Sequence, residues 1–95
     1  MMYERRPGIV LVRICGADLL VATRQIWEQF PSVRPVPRVW AACWGMMEQG
    51  YSSEEVVDTF ARLFRRPKEE IRGRLDKAFE TLCSEGYLIR AEEEQ

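Results

Sequence analysis

The chain contains no histidine and only three cysteines, Cys15, Cys43 and Cys83. Without histidine the commonest general base at neutral pH is missing, and the usual zinc ligand sets cannot be assembled. The cysteines form no CxxC pair, are odd in number and each sit among apolar residues, so they are expected to be reduced core thiols and not a disulfide framework. Long hydrophobic runs are lacking as well. IVLV and LLVA fall far short of the roughly 20 residues that cross a bilayer. The opening MMYERRPG carries no apolar stretch of about 7 to 15 residues, so it does not resemble a secretory signal. A cytoplasmic location is the resulting expectation. Neither sign of charge is in excess: 14 Lys and Arg stand against 15 Asp and Glu. A generic nucleic-acid binder carries a basic surplus to displace counterions from phosphates.

What remains is a chain of 95 residues, 46% hydrophobic and 31% charged. That length suits one domain spanning residues 1–95, with a core over about 6–89 and a charged tail over 90–95 (RAEEEQ). Ile9 to Cys15 (IVLVRIC) and Leu19 to Thr23 (LLVAT) flank Gly16-Ala17-Asp18, a pattern that predicts a β-hairpin. Residues 24–30 (RQIWEQF) suit either a longer second strand or a loop with one helical turn.

From Pro37 the period becomes helical. Val39, Trp40, Cys43, Trp44, Met46 and Met47 fall on a wide apolar face, with Pro37 in the first turn and Gly50 as the stop. Such a Met and Trp stripe is expected to be core. Ser52-Ser53-Glu54-Glu55 is a capping box that opens a second helix, carrying Val56, Phe60, Leu63 and Phe64. Arg65-Arg66-Pro67 ends that helix, because the residue before proline leaves the α region, and Pro67 opens the third. The third helix aligns Ile71, Leu75, Ala78, Phe79, Leu82 and Cys83, and Gly86 in SEGYLI suits a left-handed stop with Leu88 folding back.

Between the two halves lies FPSVRPVPRVW, residues 30–40. In an extended strand alternate residues direct their N–H and C=O groups to the same edge. Prolines 31, 35 and 37 therefore place all their missing donors on one side, where Val33 is the only donor left. The intact side, Ser32, Arg34 and Val36, is expected to face either the second strand or an incoming chain. A small sheet with an open edge, beside a last helix with more apolar surface than two helices need, describes a site for β-strand addition.

The same residues resemble a known family. VPRVWAACWGMMEQGYSSEEVVDTF aligns without a gap on the PqqD-like pattern LNETGALIWELLDGGRTVEEIAEEL, with Trp44 on the family tryptophan and SSEE at the start of its second helix. VRICGADLLVATR resembles the family's first hairpin and CSEGYLI its closing segment, so the likeness runs from about Arg6 to Ile89. The resemblance implies an α+β, winged-helix-like domain, a three-stranded antiparallel sheet followed by a three-helix bundle. It implies a non-catalytic recognition element without cofactor or metal, which holds the leader of a ribosomally made precursor peptide and presents it to a modifying enzyme, often a radical SAM enzyme. In that family the leader adds beside the third strand, against the third helix. Carried onto this chain, the strand positions are Ser32, Val33, Arg34, Pro35 and Val36, and the helix candidates are Arg72, Leu75, Phe79 and Leu82. One departure stands out. The family's junction is commonly Leu-Asn, whereas this chain has Val36-Pro37, which removes a side-chain cap but presets the helical turn.

Other readings compete residue by residue. Arg34 either meets an acidic side chain of the peptide or is simply solvated. Phe30 and Trp27 are either peptide anchors or packing beneath the hairpin. The cluster Arg62, Arg65, Arg66, Lys68, Arg72, Arg74 and Lys77 is where a winged-helix regulator would contact nucleic acid, the alternative function. Interleaved Glu69, Glu70, Asp76 and Glu80 point instead to a solvated helix face. Glu54-Glu55 is explained by capping and the helix dipole, and no acid pair suggests catalysis.

Overall fold

The computed structural model describes residues 2–91. In chain order the elements are β1 (Met2–Arg5), β2 (Ile9–Ile14), β3 (Ala17–Ala22), β4 (Val33–Val36), α1 (Arg38–Glu48), α2 (Ser53–Phe64), α3 (Lys68–Ser84) and β5 (Leu88–Ala91). The fold is α+β: β2, β3 and β4 form an antiparallel sheet in that order, α1 packs against β2 and β3, α2 packs against α1, and α3 against α2. No described helix is long and apolar enough to cross a membrane.

The hairpin forms where expected, but its turn is shorter. Cys15 and Gly16 both take positive φ, 52° and 81°, which is the two-residue geometry that follows the twist of paired strands. Ala17 and Asp18 consequently belong to β3. Cys15 is exposed at the turn and is not the core thiol expected. Cys43 does lie in the core, where burial pushes its thiol up to about 12. Asp18 is buried on the helix side of the sheet and is matched by Arg13, with Nε 3.0 Å from Oδ1. Residues 24–29 form turns, not strand, closed by the Phe30 N–H donating to Ile26 O at 2.8 Å.

The helix signals hold at residue level. Pro37 caps α1 with no side-chain hydrogen bond, as the missing asparagine requires. The Ser52 hydroxyl accepts from the Glu55 N–H at 3.0 Å, and the Glu55 carboxylate accepts from the Ser52 N–H at 2.8 Å. Arg65 turns left-handed before Arg66-Pro67. After α3, Gly86 has φ +93°, and a Cβ there would come within 3.0 Å of the Phe30 ring. Glycine is thus required for both conformation and space. Leu88 folds back and is 2% exposed.

The ends of the chain depart from expectation. β1 pairs antiparallel with β5, from Met2 opposite Ala91 to Arg5 opposite Leu88. Arg90 and Ala91 are therefore strand and not tail, and residues 92–95 of the expected tail lie outside the described residues. The core also starts before residue 6. Tyr3 is 5% exposed, packs against Phe79 with tilted rings and centroids 5.2 Å apart, and its N–H donates to the buried Ser53 hydroxyl at 3.1 Å. Between sheet and helices the largest fully buried side chains are Leu20, Trp44 and Val56.

Candidate functional site

β4 is an edge strand whose two sides differ. Its register against β3 places Val21 opposite Val33, Leu20 opposite Arg34 and Asp18 opposite Val36. The Ala22 N–H donates to Ser32 O at 2.9 Å, and in an antiparallel ladder hydrogen-bonded pairs recur every second residue. Ser32, Arg34 and Val36 therefore spend their backbone groups on β3. The opposite side belongs to the odd residues, with Val33 as the sole N–H between Pro31 and Pro37. Of the two orientations open to the intact side, the one facing the second hairpin strand is realised. Strand assignment begins at Val33, one residue later than expected.

Side chains alternate with the backbone. Arg34 and Val36 lie on the helix side, and Val33 and Pro35 on the outer face. That outer face carries Val10, Val12 and Ile14 of β2, Ala17, Leu19 and Val21 of β3, and no charge. Val33 is 54% exposed there.

Arg34 bridges from β4 to the end of α3. Its Nε and Nη2 donate to the two carboxylate oxygens of Glu85 at 2.7 and 3.0 Å, and its Nη1 donates to Pro35 O at 2.6 Å. The guanidinium also lies 5.4 Å from the Trp40 ring centroid. Hydrogen bonding from Arg34 holds the Glu85 carboxyl below its ordinary range. Beside this bridge the Ser32 hydroxyl bonds the Tyr87 hydroxyl. Phe30 meets the Tyr87 ring edge-on, with Arg6 4.4 Å over its other face. Phe30 is thereby half-buried packing and not a free anchor, whereas Trp27 is 45% exposed.

The helix candidates sit elsewhere. Phe79 and Leu82 are only 2% and 3% exposed, so they are core and not groove-facing, whereas Leu75, 6% exposed, lines one wall of a cavity. They lie on the α3 stripe that contacts the rest of the core, and a periodic stripe does not reveal which neighbour covers it. Arg72 is committed to Glu54 of α2 through two hydrogen bonds of 2.6 Å. The apolar space that exists was not anticipated. A cavity of about 450 Å³ opens between Val39 of α1, Phe60 and Phe64 of α2, and Ile71 and Leu75 of α3, with the charged Arg66, Glu70 and Arg74 also lining it. Val39 is three residues beyond the end of β4 in the chain. The exposed Phe64, stacked on Phe60 at 5.6 Å, was the available signal.

Much of the basic cluster is paired with acids. Lys68 lies 3.2 Å from Glu54 and 2.8 Å from Asp58, while Arg66 and Arg74 flank Glu70 at 3.6 and 3.8 Å. Hydrogen bonding from Arg72, joined by Lys68, lowers the Glu54 carboxyl from 4.5 to about 2. A depressed acid stabilises the fold above its unfolded value and loses that contribution as pH falls through the folded one. Glu54→Gln is accordingly expected to lower the thermal midpoint at pH 7, with the deficit closing between pH 4.5 and 2. The pair is exposed enough for solvent screening to keep the deficit small. Thermal scans of both proteins at the two ends of that window provide the check.

The chain matches no family model, no curated protein sequence and no solved structure.

Proposed function

We propose that this chain is a non-catalytic recognition element that binds an extended segment of a ribosomally made precursor peptide along β4 and presents it to a modifying enzyme, such as a radical SAM enzyme. In this reading the sheet and helices are a winged-helix-like domain of the PqqD-like kind. The observation that carries it is the free side of β4. The Val33 N–H and the C=O groups of Val33 and Pro35 point away from β3, as does that of Pro31 just ahead of the strand, and only the Pro35 carbonyl has a side-chain donor, Arg34, upon it. An added antiparallel strand makes two bonds at Val33 and one each at the Pro31 and Pro35 carbonyls.

Magnitudes decide what else is needed. Four backbone hydrogen bonds contribute about 2–6 kcal/mol net. A micromolar complex needs about 8 kcal/mol after the cost of ordering the peptide. The ladder alone falls short. One or two apolar side chains in the cavity lined by Val39, Phe60, Phe64 and Leu75, at about 1.5–3 kcal/mol each, close the gap. Binding therefore combines a short ladder with an anchor N-terminal to it in the peptide.

Amide NMR titration with the leader of a co-encoded precursor tests the reading. Shifts centred on Val33 and its neighbours through Val36, and on Val39, are expected, with little loss between low and physiological salt. Shifts confined to Arg62–Lys77, seen only with DNA and lost steeply as salt rises, would replace it with the nucleic-acid reading.

A further inference from the structure

We infer that Glu85 is a built-in substitute for an acidic side chain of the docked peptide, so that the edge selects segments of the pattern apolar, acidic, apolar, any, apolar. This rests on strand addition at β4. The residue opposite Val33 exchanges both backbone bonds, and the residues opposite Pro31 and Pro35 donate one N–H each. The residues between them, opposite Ser32 and Arg34, sit in the close pairs, where facing Cβ atoms approach to about 4.5–5.5 Å. They project to the helix side, as Arg34 does. The side chain opposite Arg34 therefore arrives beside a guanidinium already shaped around a carboxylate, since Nε and Nη2 hold both oxygens of Glu85. A peptide Asp or Glu offers the same fork-to-fork match.

The exchange also frees backbone. Pro35 O, an acceptor the incoming strand needs, is capped by Arg34 Nη1 at 2.6 Å. When the guanidinium turns to the peptide acid, that carbonyl becomes available to the peptide N–H opposite it. Anchor and ladder are thus coupled through one side chain. The apolar positions follow from the other face, because residues opposite Val33, Pro31 and Pro35 extend the uncharged surface of Val10, Val12, Leu19 and Val21.

The test uses three capped synthetic peptides, KTVDVTVK, KTVNVTVK and KTVKVTVK, each extended at its N-terminus by Phe-Leu as the apolar anchor, titrated calorimetrically into the full chain, into Glu85→Gln and into Arg34→Glu, with the Val33 amide followed by NMR. The acidic peptide is expected to bind about threefold more tightly than its amide counterpart. Glu85→Gln should widen that ratio by about threefold again, since the competitor is gone. Arg34→Glu should invert the preference toward KTVKVTVK, provided its thermal midpoint is unchanged. Equal affinities of the acidic and amide peptides, with the Val33 amide shifted by both, overturn the acidic pattern and leave strand addition standing. An unmoved Val33 amide with both peptides overturns the two together.

Discussion

Val33→Pro is expected to fold as the parent does and to bind leader peptide about tenfold to a hundredfold more weakly. The Val33 N–H points away from β3, so proline removes no bond of the existing ladder. Its side chain is 54% exposed on the outer face, so little core is lost. Ser32 becomes the residue before a proline, which favours the extended backbone it already has in pairing with Ala22. Bending φ toward about −65° costs at most about 1 kcal/mol in an edge strand. The incoming chain, by contrast, loses the only donor on this edge. One peptide carbonyl is left unmatched at a cost of about 1–3 kcal/mol. Calorimetry on Val33→Pro and on Val33→Thr, which keeps the N–H, provides the comparison. Equal affinity in both would rule out β4 as the docking edge.

Trp44→Ala is expected to cost about 3–5 kcal/mol, the range for truncating a buried aromatic. Trp44 is 1% exposed, and its indole N–H donates to Glu48 at 3.1 Å; the same Glu48 oxygen accepts from the Leu11 N–H on the outer edge of β2. The residue therefore fills the core and steadies a carboxylate that ties α1 to the sheet. Domains of this size hold roughly 5–15 kcal/mol in all, so the variant should lose between about a fifth and all of its stability. Trp27→Ala, at a site 45% exposed, should stay within about 0.5 kcal/mol of the parent. Urea unfolding curves distinguish the two, and a loss below about 1 kcal/mol for Trp44→Ala would show that the cavity collapses.

Local chemistry was legible in the sequence, and long-range pairing was not. Ser52 with Glu55, Gly50, Gly86 and the two prolines at helix starts act within a few residues of themselves, so their spacing predicts their geometry. The one-sided character of residues 31–37 follows from proline positions alone, although which neighbour takes the intact side does not. MYER and LIRA were missed as strands because each is four residues long and becomes a strand only through the other. Glu85 was missed for a similar reason. It lies 51 residues from Arg34, and a glutamate near the end of a helix carries no mark of its partner. That Phe79 and Leu82 are core while Leu75 lines the cavity was not legible, because apolar periodicity states that a face is covered, not by what.

The pairing of β1 with β5 bears on the order in which the molecule assembles. Joining Met2 to Ala91 closes a loop of nearly the whole described chain, and such closure costs more entropy than any other contact in the fold. Contacts of that separation form late, after the hairpin and helices have shortened the distance to be spanned. The ribbon should accordingly be the last element to gain protection from hydrogen exchange during refolding, and Tyr3 should settle onto Phe79 only as the final step.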